Sequence, residues 1–326
     1  MSRPSSSPPP DVSYVVIAYN EAPAIVSCLS AITDQVGSSS YEIIVVDDCS
    51  VDQTAELVQD FASCRPEVVL IRHERNLGRG AARSTGVAAA TADLIAMVDA
   101  DIVLPTDWLE RCRRVLLESA VDAVGGIAVP DGDVAYVHRI FSLTPKVTSM
   151  STQVTGSNGL YRRKVFDLVS IDPSLIEGED VALNFAMREA GLQCVSIADL
   201  LVEHCESKDF LGSMKWLYQS GKGASRQLAT YGKVRTPDIA SGGMIGVTLF
   251  SLAARRRGAS WRLVWGLPIV FLLGISALHM MRKFVMRDSA MNWVLATVVN
   301  ATLLGGYFAG RVAGLSSAVR DRTGPE

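Results

Sequence analysis

Cysteine is scarce and unpatterned in this 326-residue chain: there are six, Cys28, Cys49, Cys64, Cys112, Cys194 and Cys205, with no Cys-x-x-Cys among them. That spacing argues against a zinc site or a disulfide framework and fits a reducing, cytoplasm-facing compartment. Charge is nearly balanced at −3, so nothing global recommends nucleic-acid binding. Aromatics are few, 7% within a hydrophobic fraction of 48%, which is enough for one large core with apolar sequence left over at the C-terminus. The first expected strand ends without a glycine-rich turn, which removes the main support for dinucleotide binding. Met1 to Pro10 has no apolar core and reads as a disordered tail. No internal repeat is visible.

From Val12 to about Leu200, short β-branched runs alternate with segments of helical period, the pattern of βαβ units on a mainly parallel sheet. Strands are expected near Tyr14 to Ala18, Ile43 to Val46, Val68 to Arg72, Leu94 to Val98 and Ala123 to Ala128. Helices are expected near Ala22 to Ile32, Thr54 to Ala62, Gly80 to Ala90 and Asp107 to Ser119, with Ser50 or Asp52 capping the second.

Chemistry-bearing residues fall at the strand ends. Asp99-Ala-Asp101 follows the apolar run Leu94 to Val98, and Asp47-Asp48 follows Glu42 to Val46. In open α/β sheets ligands bind beyond the carboxyl ends of strands, so two acidic strand ends imply a shared cleft able to hold a divalent metal against a diphosphate. Gly78-Arg-Gly-Ala-Ala-Arg83 comes close to Gly-x-Gly-x-x-Gly, but Arg83 replaces the third glycine and the preceding strand is the third. Arg75, Arg79 and Arg83 there suit an anionic phosphate, or else coat a helix surface. Glu179 and Asp180 open a helix that stops at Gly191; acids in a first turn complement the helix dipole, and one facing a metal cleft can also serve as a general base.

Taken together, these segments resemble glycosyltransferase family 2, the inverting enzymes of GT-A fold. The resemblance rests on Val15-Val-Ile-Ala-Tyr-Asn-Glu21, Val45-Val-Asp-Asp-Cys-Ser50 with Asp52, Asn76 to Arg83, Asp99-Ala-Asp101, Gly156-Ser-Asn-Gly159 and Glu179-Asp180, in the family's order. It covers about residues 12 to 230 and implies a nucleotide-diphospho-sugar donor. Tyr19, Glu21 and Asp48 would cradle base and ribose, Arg79 would lie near base or phosphates, and Asp99 would face ribose and metal. Asp101 would be the direct ligand of Mg2+ or Mn2+, with His204 as a further ligand. Asp180 would be the general base, or would orient an acceptor that is already an ionised phosphate. Asn158 and Glu179 would line the sugar or acceptor side. Two departures bear on the donor-sugar pocket: Cys49 stands where glycine is common, and Val169-Ser-Ile-Asp172 replaces a Gly-Gly-Phe-type segment. The missing Gln-x-x-Arg-Trp favours transfer of a single sugar over polymerisation.

Two apolar stretches free of Asp, Glu, Lys and Arg, Leu263 to Met281 (19 residues) and Met291 to Gly310 (20 residues), are each long enough for a hydrocarbon core of about 30 Å. Buried soluble helices are the alternative. Arg282, Lys283 and Arg287 lie between the stretches, while Arg255, Arg256, Arg257, Arg262, Arg311, Arg320 and Arg322 flank them; seven basic residues against three put both outer ends and the catalytic domain on the cytoplasmic face. The segment 236–262 reads as interfacial or re-entrant, extended by Lys222, Arg226, Lys233 and Arg235. The expected organisation is thus a catalytic domain over 12–235, two spans within 263–310 and a cytoplasmic tail over 311–326. A membrane setting points to a lipid-linked acceptor. A soluble or peptide acceptor, or a tethered sugar-nucleotide-binding protein without catalysis, would use the same residues.

Overall fold

The computed structural model describes residues 8–37, 39–130, 144–145, 153–176, 178–205, 210–232, 236–258, 260–285 and 290–322. The N-terminal tail up to residue 7, Lys233, Arg235 and Arg287 lie outside the described residues. The chain divides into two compact units, one of residues 1–131 and 147–206, the other of residues 132–146 and 207–326.

The first unit is an α/β fold on one eight-stranded sheet. Its elements are β1 (Val12–Ala18), α1 (Ile25–Thr33), β2 (Tyr41–Asp47), α2 (Thr54–Ala62), β3 (Val68–Arg72), α3 (Arg79–Ala89), β4 (Leu94–Asp99), β5 (Ile102–Val103), α4 (Trp108–Glu118) and β6 (Ala123–Pro130). After β7 (Thr144–Pro145), which belongs to the second unit, come β8 (Asn158–Arg162), α5 (Lys164–Leu168), α6 (Glu179–Glu189) and β9 (Cys194–His204). Strand order is β3-β2-β1-β4-β8-β6-β9-β5.

All seven residues of β1 are buried, as expected of a parallel strand covered by helices on both faces. The β3-β2-β1-β4 half is parallel, as its sequence alternation predicts. Beyond β4 the sheet becomes mixed, because β8 enters antiparallel between β4 and β6. Asn158 and Gly159 give β8 little strand propensity, and burial between two neighbours overrides that. Of the two expected caps on α2, Asp52 accepts the Thr54 amide at 3.0 Å, whereas Ser50 takes no part and accepts the Asn20 amide in the preceding loop.

Helix α3 packs Ala82 and Gly86 onto the sheet, while Gly80 lies against the backbone of Asp172 and Leu175. A Cβ at Gly86 would strike Val15 Cγ1 and lie 3.3 Å from Val46 Cγ2, both on buried strands.

The second unit carries α7 (Phe210–Tyr231), α8 (Thr236–Arg256), α9 (Trp261–Lys283), β10 (Phe284–Val285) and α10 (Ala290–Arg322). Strand β10 pairs antiparallel with β7. Helices α7 and α10 touch backbone to backbone at Gly310, where a Cβ would meet the Tyr218 carbonyl. The stretches 263–281 and 291–310 fall inside α9 and α10. Among the described residues, no helix is long and apolar enough to cross a membrane.

Replacing Gly86 with Val forces two methyl groups into β1 and β2, an overpacking that costs about 1–3 kcal/mol. Differential scanning calorimetry should show a melting temperature lower by roughly 2–10 °C for a unit of this size; an unchanged midpoint would mean that α3 lifts off the sheet without cost.

Candidate active site

The parallel register brings the acidic strand ends to one edge. Ile17 pairs with Asp99 and Ala18 with Asp47, so Tyr19, Asp47, Asp48 and Asp99 leave the sheet side by side. Tyr19 is 46% exposed at that edge, and Glu21 is half-buried one turn before α1.

Two loops lock this edge together. Ser50 Oγ accepts the Asn20 amide at 2.8 Å, Thr54 Oγ1 accepts the Glu21 amide at 2.8 Å, Asp52 accepts the Ala22 amide at 3.1 Å, and Asn20 Oδ1 accepts the Val51 amide at 2.9 Å. Cys49 sits at φ 66°, the left-handed region, which accounts for the glycine common at this place. Asp47 is fully buried, with Arg72 Nε 3.1 Å from its carboxylate.

Asp48 stands at the same edge, just after β2. It is 4% exposed, and its carboxylate accepts the amides of Leu77 at 2.9 Å and Gly78 at 2.7 Å. His73 Nδ1 lies 2.7 Å away, and His73 Nε2 lies 3.0 Å from Thr85 Oγ1. The carboxylate thus shapes the loop that leads into α3. That loop is no phosphate cradle. The Arg79 and Gly80 amides donate to the carbonyls of Ile176 and Leu175 at 3.2 and 2.9 Å, and a Cβ at Gly80 would strike the Asp172 carbonyl. Arg79 itself is exposed at the start of α3.

The centre of the site is Arg83, which is buried and does not coat the helix surface. Only 3% exposed, it places NH2 2.5 Å from Asp99 Oδ1 and Nε 3.2 Å from Glu179 Oε1, the latter an ion pair without hydrogen-bond alignment. Its NH1 donates to the Gly156 carbonyl at 3.3 Å, and the Gly156 amide donates to Asp180 Oδ2 at 3.4 Å. Burial alone would lower the guanidinium pKa, but Asp99, Glu179 and Asp180 raise it overall. Burial raises the Glu179 pKa, Arg83 opposes this, and Asp180 adds to it. Asp180 remains half-buried at the start of α6, its backbone carbonyl held by Asn184 Nδ2 at 2.8 Å.

Asn158 and Glu179 do not line an open sugar or acceptor surface. Asn158 is fully buried, with Oδ1 accepting the Gly126 amide at 2.7 Å and Nδ2 donating to Thr155 and Ser157 hydroxyls. It clamps β8 to β6. Glu179 is 3% exposed beneath Arg83.

A second pair completes the edge. Antiparallel pairing of β5 with β9 sets Ile102 opposite His204, and His204 Nε2 lies 3.0 Å from Asp101 Oδ2 although 103 residues separate them. One carboxylate and one imidazole fit a hard divalent cation that takes most of its ligands from phosphate oxygens and water. Among the described residues, no group of three or more His, Cys, Asp or Glu is arranged to hold a metal ion.

The expected residues therefore fall into four groups. Tyr19 and Glu21 follow β1 with Arg79 at the start of α3, Asp99, Glu179 and Asp180 are brought together around Arg83, Asp101 meets His204, and Asp48 and Asn158 accept backbone amides. The role of Arg83 had a signal in the sequence: it shares a helix face with Gly80 and Gly86, too small for anything but close packing, and a cation on such a face requires buried carboxylates.

Acidic groups at the carboxyl ends of the strands lie where open α/β sheets bind their ligands, and the resemblance to GT-A enzymes rests on comparison with known proteins. Residues 13–168 match the family model described as Glycosyl transferase family 2. Glycosyltransferase AglE of Haloferax volcanii is 30% identical over 223 residues, 66% of this chain and 73% of that protein. The chain belongs to glycosyltransferase family 2 and is an enzyme of that family. It is also 33% identical over 165 residues, 48% of this chain and 50% of the relative, to the undecaprenyl-phosphate 4-deoxy-4-formamido-L-arabinose transferase of Aeromonas hydrophila. In fold it is similar to the mannosyltransferase PcManGT of Pyrobaculum calidifontis, solved with GDP-Man and Mn2+, with a TM-score of 0.62, 20% identity and coverage of 97% of this chain and 90% of that one.

The engagement of Asp48 has a measurable consequence. Asp48→Ala leaves the buried Gly78 amide, the part-buried Leu77 amide and His73 without their acceptor, at about 1–3 kcal/mol for a buried unmet group and less for the others. Hydrogen exchange at Leu77 and Gly78 should accelerate at least tenfold; unchanged protection would show that the loop is held by other contacts.

Proposed function

We propose that this enzyme moves one sugar from a nucleotide-diphospho-sugar to a lipid-linked acceptor, with inversion at the anomeric carbon and with the help of Mg2+ or Mn2+. The observation that carries the reading is the grouping of Asp99, Glu179 and Asp180 around Arg83, beside the Asp101–His204 pair.

In this reading Tyr19, Glu21, Asp48 and Arg79 flank the nucleotide, and Asp99 faces the ribose and the metal. Asp101 and His204 would hold the divalent ion, which would supply positive charge against the departing diphosphate. An acceptor oxygen forms a bond to the anomeric carbon as the carbon–oxygen bond to the diphosphate breaks, and Asp180 takes the acceptor's proton. With a phosphate acceptor, already ionised, no proton needs to move and Asp180 orients the nucleophile. The chemistry fits the half-buried position of Asp180, which leaves the carboxylate reachable.

The lipid-linked acceptor is supported by the undecaprenyl-phosphate transferase among the relatives and by the helical unit. On α9 and α10, Trp265, Ile269, Val270, Met281, Val294 and Leu295 are about half exposed or more. Apolar surface on that scale seeks a partner or a lipid phase. We read the charge-free stretches 263–281 and 291–310 as two spans with both outer ends on the cytoplasmic side, and α8 as an interfacial helix.

Purified protein in lipid vesicles, incubated with labelled UDP- and GDP-sugars with and without Mn2+, should send label into the lipid extract from one donor and only with metal. Asp180→Asn should cut turnover by about 10²–10⁴-fold with donor binding retained, and Asp101→Ala should abolish metal-dependent donor binding. Label in no lipid extract refutes the lipid acceptor, undiminished turnover in Asp180→Asn refutes the base, and metal-dependent binding that survives Asp101→Ala refutes the metal site.

A further inference from the structure

We infer that Arg83 is a positioning residue for glycosyl transfer, a single buried guanidinium that fixes the donor-side Asp99 and, through the Gly156 peptide, the acceptor-side Asp180 in one geometry. The inference rests on the transfer reading above and extends it to a residue that touches neither substrate.

Three contacts carry the argument. Arg83 NH2 meets Asp99 Oδ1 at 2.5 Å, so the rotamer of the donor-side acid is set from behind the sheet edge. Arg83 NH1 donates to the Gly156 carbonyl at 3.3 Å, and the same residue's amide reaches Asp180 Oδ2 at 3.4 Å. The two faces of the cleft are therefore joined by one side chain and one residue of backbone. The third contact, to Glu179 Oε1 at 3.2 Å, anchors the N-terminus of α6, on which Asp180 stands.

The surroundings leave little freedom to change this arrangement. A Cβ at Gly156 would lie 2.5 Å from Arg83 NH1, so the guanidinium is packed flat against the chain there. Glu179 Oε2 is buried with no hydrogen-bond partner among the described residues, and Arg83 is the nearest strong source of positive charge, with Arg79 a weaker one. A planar fork can serve two carboxylates and a carbonyl at once, whereas the ammonium of lysine is a point charge that serves one well. A misplacement on the order of 1 Å of a catalytic group costs about 100-fold in rate.

The test uses the full chain in vesicles, with UDP-glucose and GDP-mannose as donors, and follows transfer and slow hydrolysis. Arg83→Met is paired with Glu179→Gln, so that the most deeply buried acid around it is not left charged and unpaired, and is compared with Glu179→Gln alone. We expect kcat to fall at least about 100-fold while the donor dissociation constant changes less than about tenfold, with Arg83→Lys folded and intermediate in rate. A double variant within threefold of Glu179→Gln overturns the positioning role. So does an Arg83→Lys protein that fails to fold by circular dichroism, which would make the residue purely structural. Wild-type protein inert toward both donors overturns instead the transfer reading on which the inference rests.

Discussion

Several carboxylates converge on one edge of a sheet, and they can do so only because a cation is buried among them. Asp99 arrives on β4, while Glu179 and Asp180 arrive on α6; like charges so placed repel strongly at low dielectric. Arg83 balances them from α3, and its own burial is tolerable only because they surround it. Removing one partner from such a buried pair costs about 3–5 kcal/mol, so the stability of the first unit and the geometry of its cleft rest on the same contact.

Other features of the fold follow from the need to deliver that guanidinium. Gly80 and Gly86 let α3 lie close enough for Arg83 to reach across, and the Asp48 carboxylate fixes the loop from which α3 starts. Asn158 clamps β8 beneath β6, which fixes the Gly156 turn between Arg83 and Asp180. The interlocked loops after β1 and β2 place Tyr19 and Glu21 at the same edge, held by Ser50, Asp52 and Thr54 rather than by glycine-rich backbone.

The parallel half of the sheet was legible because β1, β2 and β4 are nearly continuous apolar runs, and the site because acids followed two of them. Strand β8 was not legible: Asn158 and Gly159 favour turns, and only pairing with β4 and β6 makes them extended. The meeting of Asp101 and His204 depends on a register set 103 residues apart, which no local pattern encodes. Asp48 and Asn158 illustrate a different difficulty. A polar residue at a strand end satisfies either a ligand or its own backbone, and only the three-dimensional partners decide between them.

The claim at the centre of this account is a single in-line displacement within the Asp99–Arg83–Asp180 cleft, and slow hydrolysis of the donor tests it without need of an acceptor. Proton NMR of the sugar first released from an α-linked donor such as GDP-mannose reads the stereochemistry before mutarotation. The account predicts the β anomer, by attack of water on the face opposite the departing diphosphate. Release of the α anomer would contradict it.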